Sequence, residues 1–426
     1  MSVHERLPSA DVIFTPVTDN GRVRSITQYR EKLFIGRTWL ASGPADENGC
    51  ILSSAPDAVE FEYVHDIRLK RGAEKNPPNF TGQQEPETGC LALAVFNGKP
   101  GGDEMLFASL FLPESSHLLV TRDGERFDEV SPVADGAVVH AMIEFDGRLF
   151  ASVAGVAPGP AIYCSDDPAA GDWKLACEPG FGDKANVSIT SLAVFHDHLY
   201  AATFNPYNGF QLWCAPAGTD EPCQWQQVIT GGGLRYTSSP AVASMAVFND
   251  ALYIGTGSPG ENYATYFNLD IAAAELIQLS SDNHWEIIAG SPRFSPQGLK
   301  VPMAAMGPGF DDASNVAVAA LAVHDGRLYA GTCADDYLQK SGSGSFDLWS
   351  TADGEEWSPV AVTESARPSG ITAACSTSKA LLLATANGDC TMPFVLLNPN
   401  PQRSGQGHEV SAFRKMARTL LRRQQG

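Results

Sequence analysis

SLAVFHDHLYAAT at residues 191–203, SMAVFNDALYIGT at 244–256 and ALAVHDGRLYAGT at 320–332 are three copies of one phrase. Weaker copies read AMIEFDGRLFASV at 141–153 and ALAVFNGKPGGDEMLFASL at 92–110. The most degenerate are TQYREKLFIGRT at 27–38 and ACSTSKALLLAT at 374–385, so the phrase occurs seven times. Each copy alternates apolar residues on both sides of a tight turn made of Asn-Gly, Asp-Gly or His-Asp. That is the pattern of a two-stranded antiparallel hairpin, and its strands are called A and B here. The copies begin near Ile26, Cys90, Val139, Ile189, Val242, Val318 and Ile371, at spacings of 64, 49, 50, 53, 76 and 53 residues.

Most copies continue into two more strands. QLWCAP (211–216) and DLWSTADGEEWSPV (347–360) supply a third strand, C. An aromatic-x-x-Val or -Ile segment supplies the fourth, D, at 127–130, 225–228, 285–288 and 357–360. Four antiparallel strands repeating near every 50 residues are the signature of a β-propeller blade. The sequence therefore predicts an all-β, seven-bladed β-propeller over residues 1–403 and a basic amphipathic tail over 404–426. The last copy has a third strand, PFVLL at 393–397, and no fourth. DVIFTPV at 11–17 reads as the missing outer strand, which would close the ring without a free edge. An open eight-unit arrangement, or a degenerate outer strand after Leu397, would also complete the count.

Composition narrows the class. Of 426 residues 43% are hydrophobic, too many for a disordered chain. Gly 40 and Pro 28 fit a turn-rich fold. A net charge of −20 makes the chain a poor binder of phosphate backbones, so no nucleic-acid partner is expected. No apolar run reaches the roughly 18 residues of a membrane span. The start, MSVHERLPSADVIF, lacks the basic and apolar regions of a secretory signal. Nine Cys, an odd number with no CxxC, read as buried thiols of a cytoplasmic protein.

Two blades carry a longer motif: WKLACEPGFGDKAN at 173–186, leading to Asn205 and QLW213, and GFDDASN at 309–315, leading to DLW349. This resembles a group of bacterial seven-bladed propellers with W-x-x-V, GFGD-x-x-N and VFNG-x-LY-x-GT blades. It is also distantly similar to the propeller half of the alkylating cyclases that build cylindrocyclophane-type macrocycles. The resemblance implies a propeller whose central funnel hosts cyclase or alkylating chemistry. The calcium-binding half of those cyclases has no counterpart, since RTX-type Gly-Asp repeats are missing.

The loops entering strand A and leaving strand B share one face of a propeller, where ligand sites gather. On that face the expected catalytic set is Arg37, His140, Tyr207, Asp312 and Tyr337. The expected substrate contacts are Trp39, Asp183, Asn205, Tyr236, Glu261, Tyr263, Asp335 and Asn387. An acid, a phenol and a guanidinium converging there would suit general acid/base work. Arg37 is read as standing where other B strands have Ala, Gly or Ser. The competing reading of Asp183, Asn186, Asp312 and Asn315 is that they brace their loops through side-chain to backbone bonds.

Insertions at 68–89, 258–281 and 288–315 suggest a lid over the channel. Residues 270–280 read as a short helix or a third strand. TRDGERF (121–127) and STADGEEW (350–357) resemble degenerate sialidase-type Asp-boxes, which are fold-stabilising turns. Arg37, Arg235 and Arg293 do not compose a sialidase-like arginine triad.

The expected function is that of a soluble enzyme acting on a small organic substrate in the funnel. Its chemistry would be acid/base-assisted cyclisation, alkylation or elimination of the lyase type. No organic cofactor and no specific metal set is expected, with a channel metal ion left open. The other readings are a non-catalytic propeller that binds a protein or glycan, and a glycosidase with two opposed carboxylates. The tail at 408–426 sets Val410, Phe413, Ala417, Leu420 and Leu421 on one helical face, opposite five basic residues. It suggests a short helix docked on the acidic body or a frayed tail, or else a contact to a protein or an anionic membrane.

Overall fold

The computed structural model describes residues 9–14, 22–40, 49–55, 61–69, 87–98, 102–112, 115–218, 221–257, 267–269, 272–334, 346–363, 370–378, 380–386 and 393–397. The predicted tail helix lies outside these residues, as do parts of the insertions at 68–89 and 258–281.

Seven antiparallel A–B hairpins occur among the described residues. The A strands are Arg22–Tyr29, Glu87–Phe96, Val138–Phe145, Ser188–Phe195, Ala241–Phe248, Asn315–His324 and Gly370–Ser376. Several hairpins close through residues at positive φ, as at Asp146-Gly147, Asn249-Asp250 and Asp325-Gly326. That is the type I′ geometry favoured between right-twisted strands. The fourth unit shows the full pattern: Ser188–Phe195, His198–Phe204, Leu212–Pro216 and Gln226–Ile229 pair in order as one four-stranded sheet.

B strands are buried along nearly their whole length, as in Ala251–Gly257. Their reading as continuous apolar runs follows, because each sheet is covered on both faces by its neighbours. Core clusters fill the gaps between successive sheets. One of them joins Val23, Leu33 and Ile35 of the first unit to Ala373, Leu382 and Ala384 of the last. The A strands likewise touch in chain order, and Gly370–Ser376 touches Arg22–Tyr29.

Every A strand carries a register shift at the same place, after Val23, Cys90, Val139, Ile189, Val242, Val318 and Ile371. The extra residue of each bulge is Arg24, Leu91, His140, Thr190, Ala243, Ala319 or Thr372. This aligns the first copy on Val23, three residues before the predicted Ile26.

The units press together through a small residue of the B strand. A Cβ on Gly255 would lie 2.5 Å from the Val318 carbonyl oxygen, and one on Gly331 would lie 2.7 Å from Ile371 Cδ1. The Gly of the GT pair is thus set by the approach of the next A strand.

Ser9–Phe14 pairs antiparallel with Pro393–Leu397 and parallel with Ala361–Thr363. Asp66–Arg68 repeats the second of these pairings, lying parallel to Arg126–Val130 of the second unit. Residues 276–279 form strand C of the fifth unit, which resolves the helix-or-strand choice for the described part of 270–280. Part of the expected lid instead covers a sheet edge. Met303 and Ala304 donate to the carbonyls of Ile287 and Ile288, beside strand Trp285–Ala289. No helix among the described residues is long and apolar enough to cross a membrane.

The Asp-box turns are built as their sequences suggest. Asp123 Oδ1 accepts from the backbone N–H groups of Glu125 and Arg126, both at 2.9 Å, and from Thr121 Oγ1 at 3.0 Å. These bonds pull its carboxyl down to about 2. Asp353 repeats the arrangement with Glu355, Glu356 and Thr351. A carboxyl depressed in the fold stabilises it above the unfolded value near 4, and that contribution fades as pH falls through about 2. Asp123→Ala is expected to cost about 1–2 kcal/mol at pH 7 and to flatten the acid limb of stability. Urea melts at pH 7 and pH 3 check this.

Candidate functional site

Two entry loops have the same construction. Phe181 and Phe310 sit at φ +53° and +61°. Phe181 stacks on Trp213 with centroids 4.9 Å apart, and Phe310 stacks on Trp349 at 5.2 Å. Asn186 Nδ2 donates to the Gly180 carbonyl at 2.8 Å and to Gln211 Oε1 at 2.9 Å. Asn315 Nδ2 donates to Gly309 at 2.9 Å and to Asp347 Oδ2 at 2.7 Å. The GFGD-x-x-N motif is therefore a loop clamp: the Phe caps a Trp while the Asn ties the loop to the start of strand C.

Asp183 and Asn205 belong to this clamp. Gln211 Nε2 donates to Asp183 Oδ2 at 2.7 Å, and Asn205 Nδ2 donates to Asn186 Oδ1 at 3.0 Å. Asn205 is fully buried and also accepts from the backbone of Tyr207 and Asn208. Asp312 accepts from Ser314 N and Oγ within its own turn. The bracing alternative for Asp183, Asn186, Asp312 and Asn315 matches their geometry, whereas Asn205, expected as a substrate contact, is sealed inside the clamp and presents no surface to a ligand.

Arg37 differs from its reading. Its register partner is Val23, just as Ile189 pairs with Thr203 and Val318 with Thr332. Arg37 thus replaces the Thr of the GT pair, and Gly36 supplies the small residue. The degenerate copy hid this one-residue offset. Arg37 is fully buried, donates from Nη1 to the Gly49 carbonyl at 3.2 Å and lies 5.8 Å from the Tyr63 ring centroid. Trp39 is also buried, so both belong to the packing of the first unit.

The other expected residues separate into groups. His140 is the half-buried bulge residue of the third A strand. Tyr207 and Tyr236 are 61% and 60% exposed, and Tyr207 meets Phe267 edge-on at 5.9 Å. Tyr337, Glu261, Tyr263, Asp335 and Asn387 lie outside the described residues. Near Tyr236 is a small cavity lined by Ser238, Pro240, Thr256, Gly257, Ala274 and Val316, with room for about one water.

Beside that cavity is a charge cluster that the sequence reading missed. Glu275 is fully buried. Arg293 places Nη1 at 2.9 Å from its Oε1 and Nη2 at 2.9 Å from its Oε2, and the Ser291 N–H donates to Oε1 at 2.6 Å. Arg235 Nε stands 3.6 Å away, and its Nη1 donates to the Ala273 carbonyl at 2.9 Å. Burial lowers the Arg235 guanidinium below its ordinary value, against the opposing pull of Glu275. Glu275 occupies the position of Gln211 and Asp347: each backbone N–H donates to the preceding B-strand Thr Oγ1. Aligning the residue before strand C in all copies would have exposed this polar column. Arg235 and Arg293 do converge, but on Glu275 and without Arg37.

The eight described cysteines are all free thiols. Burial pushes Cys164 and Cys177 up to about 12, which makes them poor nucleophiles. No group of three or more metal-binding side chains occurs among the described residues.

No family model matches the sequence, and no curated protein matches it. Solved structures do resemble it. Virginiamycin B lyase from Staphylococcus aureus, in a catalytically inactive form with quinupristin, superposes with a TM-score of 0.51 at 11% identity. That match covers 91% of this chain and 99% of the lyase. A streptogramin B lyase superposes at 0.50 with 9% identity, over 91% of this chain and 97% of that one. The fold is that of a β-propeller. The GH74 enzyme of Niastella koreensis gives 0.47 at 14% identity, over 82% of this chain. This chain spans 46% of that enzyme's length. At such identities the likeness concerns the fold alone.

Proposed function

We propose that the chain is a seven-bladed propeller closed by its N-terminal strand, and an enzyme acting on a small organic substrate at the face where A strands begin. The pairing of Ser9–Phe14 with Pro393–Leu397 and the contact between the first and last A strands support the ring. The functional reading rests on one observation, the bulge repeated in every A strand. It puts one extra residue per unit on the innermost strands, and among those seven residues His140 is the one whose ordinary range lies near neutral pH. Arg24 adds a fixed positive charge to the same ring.

His140 would take or return a proton during elimination or cyclisation, and Tyr207 and Tyr236 would hold the substrate's apolar part. The virginiamycin B lyase named above is a lyase by its name; since that likeness concerns the fold, elimination is proposed beside cyclisation and alkylation without preference. Tyr337, Asp335, Glu261, Tyr263 and Asn387 stay in the proposed set because they follow the ends of B strands in sequence. The proposed chemistry uses no organic cofactor and leaves a channel metal ion open. We further propose a cytoplasmic location, with the 408–426 tail contacting a protein or an anionic membrane.

The test follows small molecules consumed from a metabolite mixture by mass spectrometry. Wild type should deplete at least one compound, and His140→Asn should slow this by about 10²–10⁴-fold at unchanged melting temperature. Depletion undiminished in His140→Asn would remove the proposed role. A second reading, a non-catalytic glycan or protein binder, is favoured by the exposure of Tyr207 and Tyr236. It expects loss of binding in Tyr236→Ala with no compound depleted.

A further inference from the structure

Outside the face residues already named, one constellation joins three groups of complementary chemistry. Ser115 opens strand C of the second unit, Ser115–Thr121, and His117 follows two residues later on the same face of the strand. Glu129 is on the neighbouring strand D, Arg126–Val130. Ser115 Oγ lies 2.6 Å from His117 Nε2, and His117 Nδ1 lies 2.8 Å from Glu129 Oε1. An ionised carboxylate only accepts, so Nδ1 carries the proton. Nε2 is then left as the acceptor for the Ser115 hydroxyl. The side chains of His117 and Glu129 are 12% and 13% exposed, screened from water yet not sealed. Strand C begins and strand D ends at the face where B strands finish.

The other described histidine pairs lack this combination. His196 with Asp250 and His284 with Glu286 are surface pairs with a carboxylate and no hydroxyl on the second nitrogen. His324 faces the Ser376 hydroxyl at 3.0 Å without a carboxylate on its ring. A hydroxyl on one nitrogen and a carboxylate on the other is the arrangement that raises the nucleophilicity of a serine.

We propose that Ser115, His117 and Glu129 form a nucleophilic triad that acts on small activated esters. Ser115 Oγ attacks the ester carbonyl carbon, and its proton passes to His117 Nε2. The C–O bond to the alcohol then breaks, and the alcohol leaves with that proton. Water, deprotonated by His117, attacks the acyl-serine and releases the acid, restoring the hydroxyl. Glu129 holds the imidazole in the required tautomer and is a positioning residue.

The experiment treats the full chain with a fluorophosphonate probe. Ser115 Oγ would form a P–O bond as the P–F bond breaks, fluoride leaves and the proton goes to His117. Peptide mass mapping should place the label on Ser115. Labelling should vanish in Ser115→Ala, slow at least about 100-fold in His117→Asn, and slow about 10-fold or more in Glu129→Gln. No label on Ser115 in the folded protein, or equal labelling in His117→Asn, would overturn the triad. Should His117→Asn fail to fold, Glu129→Gln decides: labelling of Ser115 slowed about 10-fold or more supports the triad, and labelling at the wild-type rate overturns it.

Discussion

Arg293→Ala is expected to destabilise the chain by about 3–5 kcal/mol, the cost of stranding a buried carboxylate. Glu275 is fully buried, and Arg293 meets both of its oxygens. Arg235, at 3.6 Å, is too distant to replace that hydrogen-bonded ion pair. The same substitution frees the carbonyl of Gly233, to which Arg293 Nε donates at 2.6 Å, and so loosens the loop carrying Tyr236. Against a typical total stability of about 5–15 kcal/mol this is a large fraction. Urea unfolding followed by circular dichroism measures it. Adding Glu275→Gln to Arg293→Ala should recover part of the loss, because the stranded charge is gone. A double variant no more stable than Arg293→Ala would point to packing rather than charge.

Phe310→Ala carries the other large expected effect, about 3–5 kcal/mol for deleting a buried ring and leaving a cavity. Phe310 is nearly fully buried, stacked on Trp349 and tilted against Trp357 at 5.7 Å. Its clamp partner Asn315 would then hold the loop without the aromatic cap. Phe181→Ala should cost less, because Phe181 is only half-buried. Urea midpoints of the two variants rank them, and the tryptophan emission of Phe310→Ala should shift to the red as Trp349 meets water. Equal midpoints would mean that burial of the ring does not set the strength of the clamp.

The repeat made most of the architecture legible. Apolar alternation around Asn-Gly and Asp-Gly turns located the hairpins, because the side-chain period of a strand and the φ > 0 demand of the turn are both local. The first copy was misaligned for an equally local reason. Arg37 holds the register position of the Thr and Thr38 follows it directly, so the phrase ends on Thr38 in sequence and one residue earlier in register. The bulges were invisible because an extra residue leaves no composition signal; only the pairing of Ile189 with Thr203 and of Ser191 with Ala202 shows that Thr190 is skipped.

The candidate site was less legible than the fold. Asp183 and Asn205 look alike in sequence whether they bind a ligand or a loop, and the clamp around Gln211 decides between these only in three dimensions. Ser115 and His117 go unmarked in the sequence, since nothing in LPESSHLLV announces a pair closed from a neighbouring strand, and Glu129 stands out only as part of the strand D segment at 127–130. Glu275 is contacted from loops 16 to 40 residues away in sequence, at Ser291, Arg293 and Arg235, so no spacing rule reaches it.

The most direct test of the central claim, a small-molecule site on the inner ring around His140, is native mass spectrometry of the full chain after equilibration with a metabolite extract. Wild type is expected to retain a small molecule, and His140→Ala to emerge without it at unchanged melting temperature. Wild type emerging bare, or His140→Ala retaining the same mass as wild type, would contradict the account.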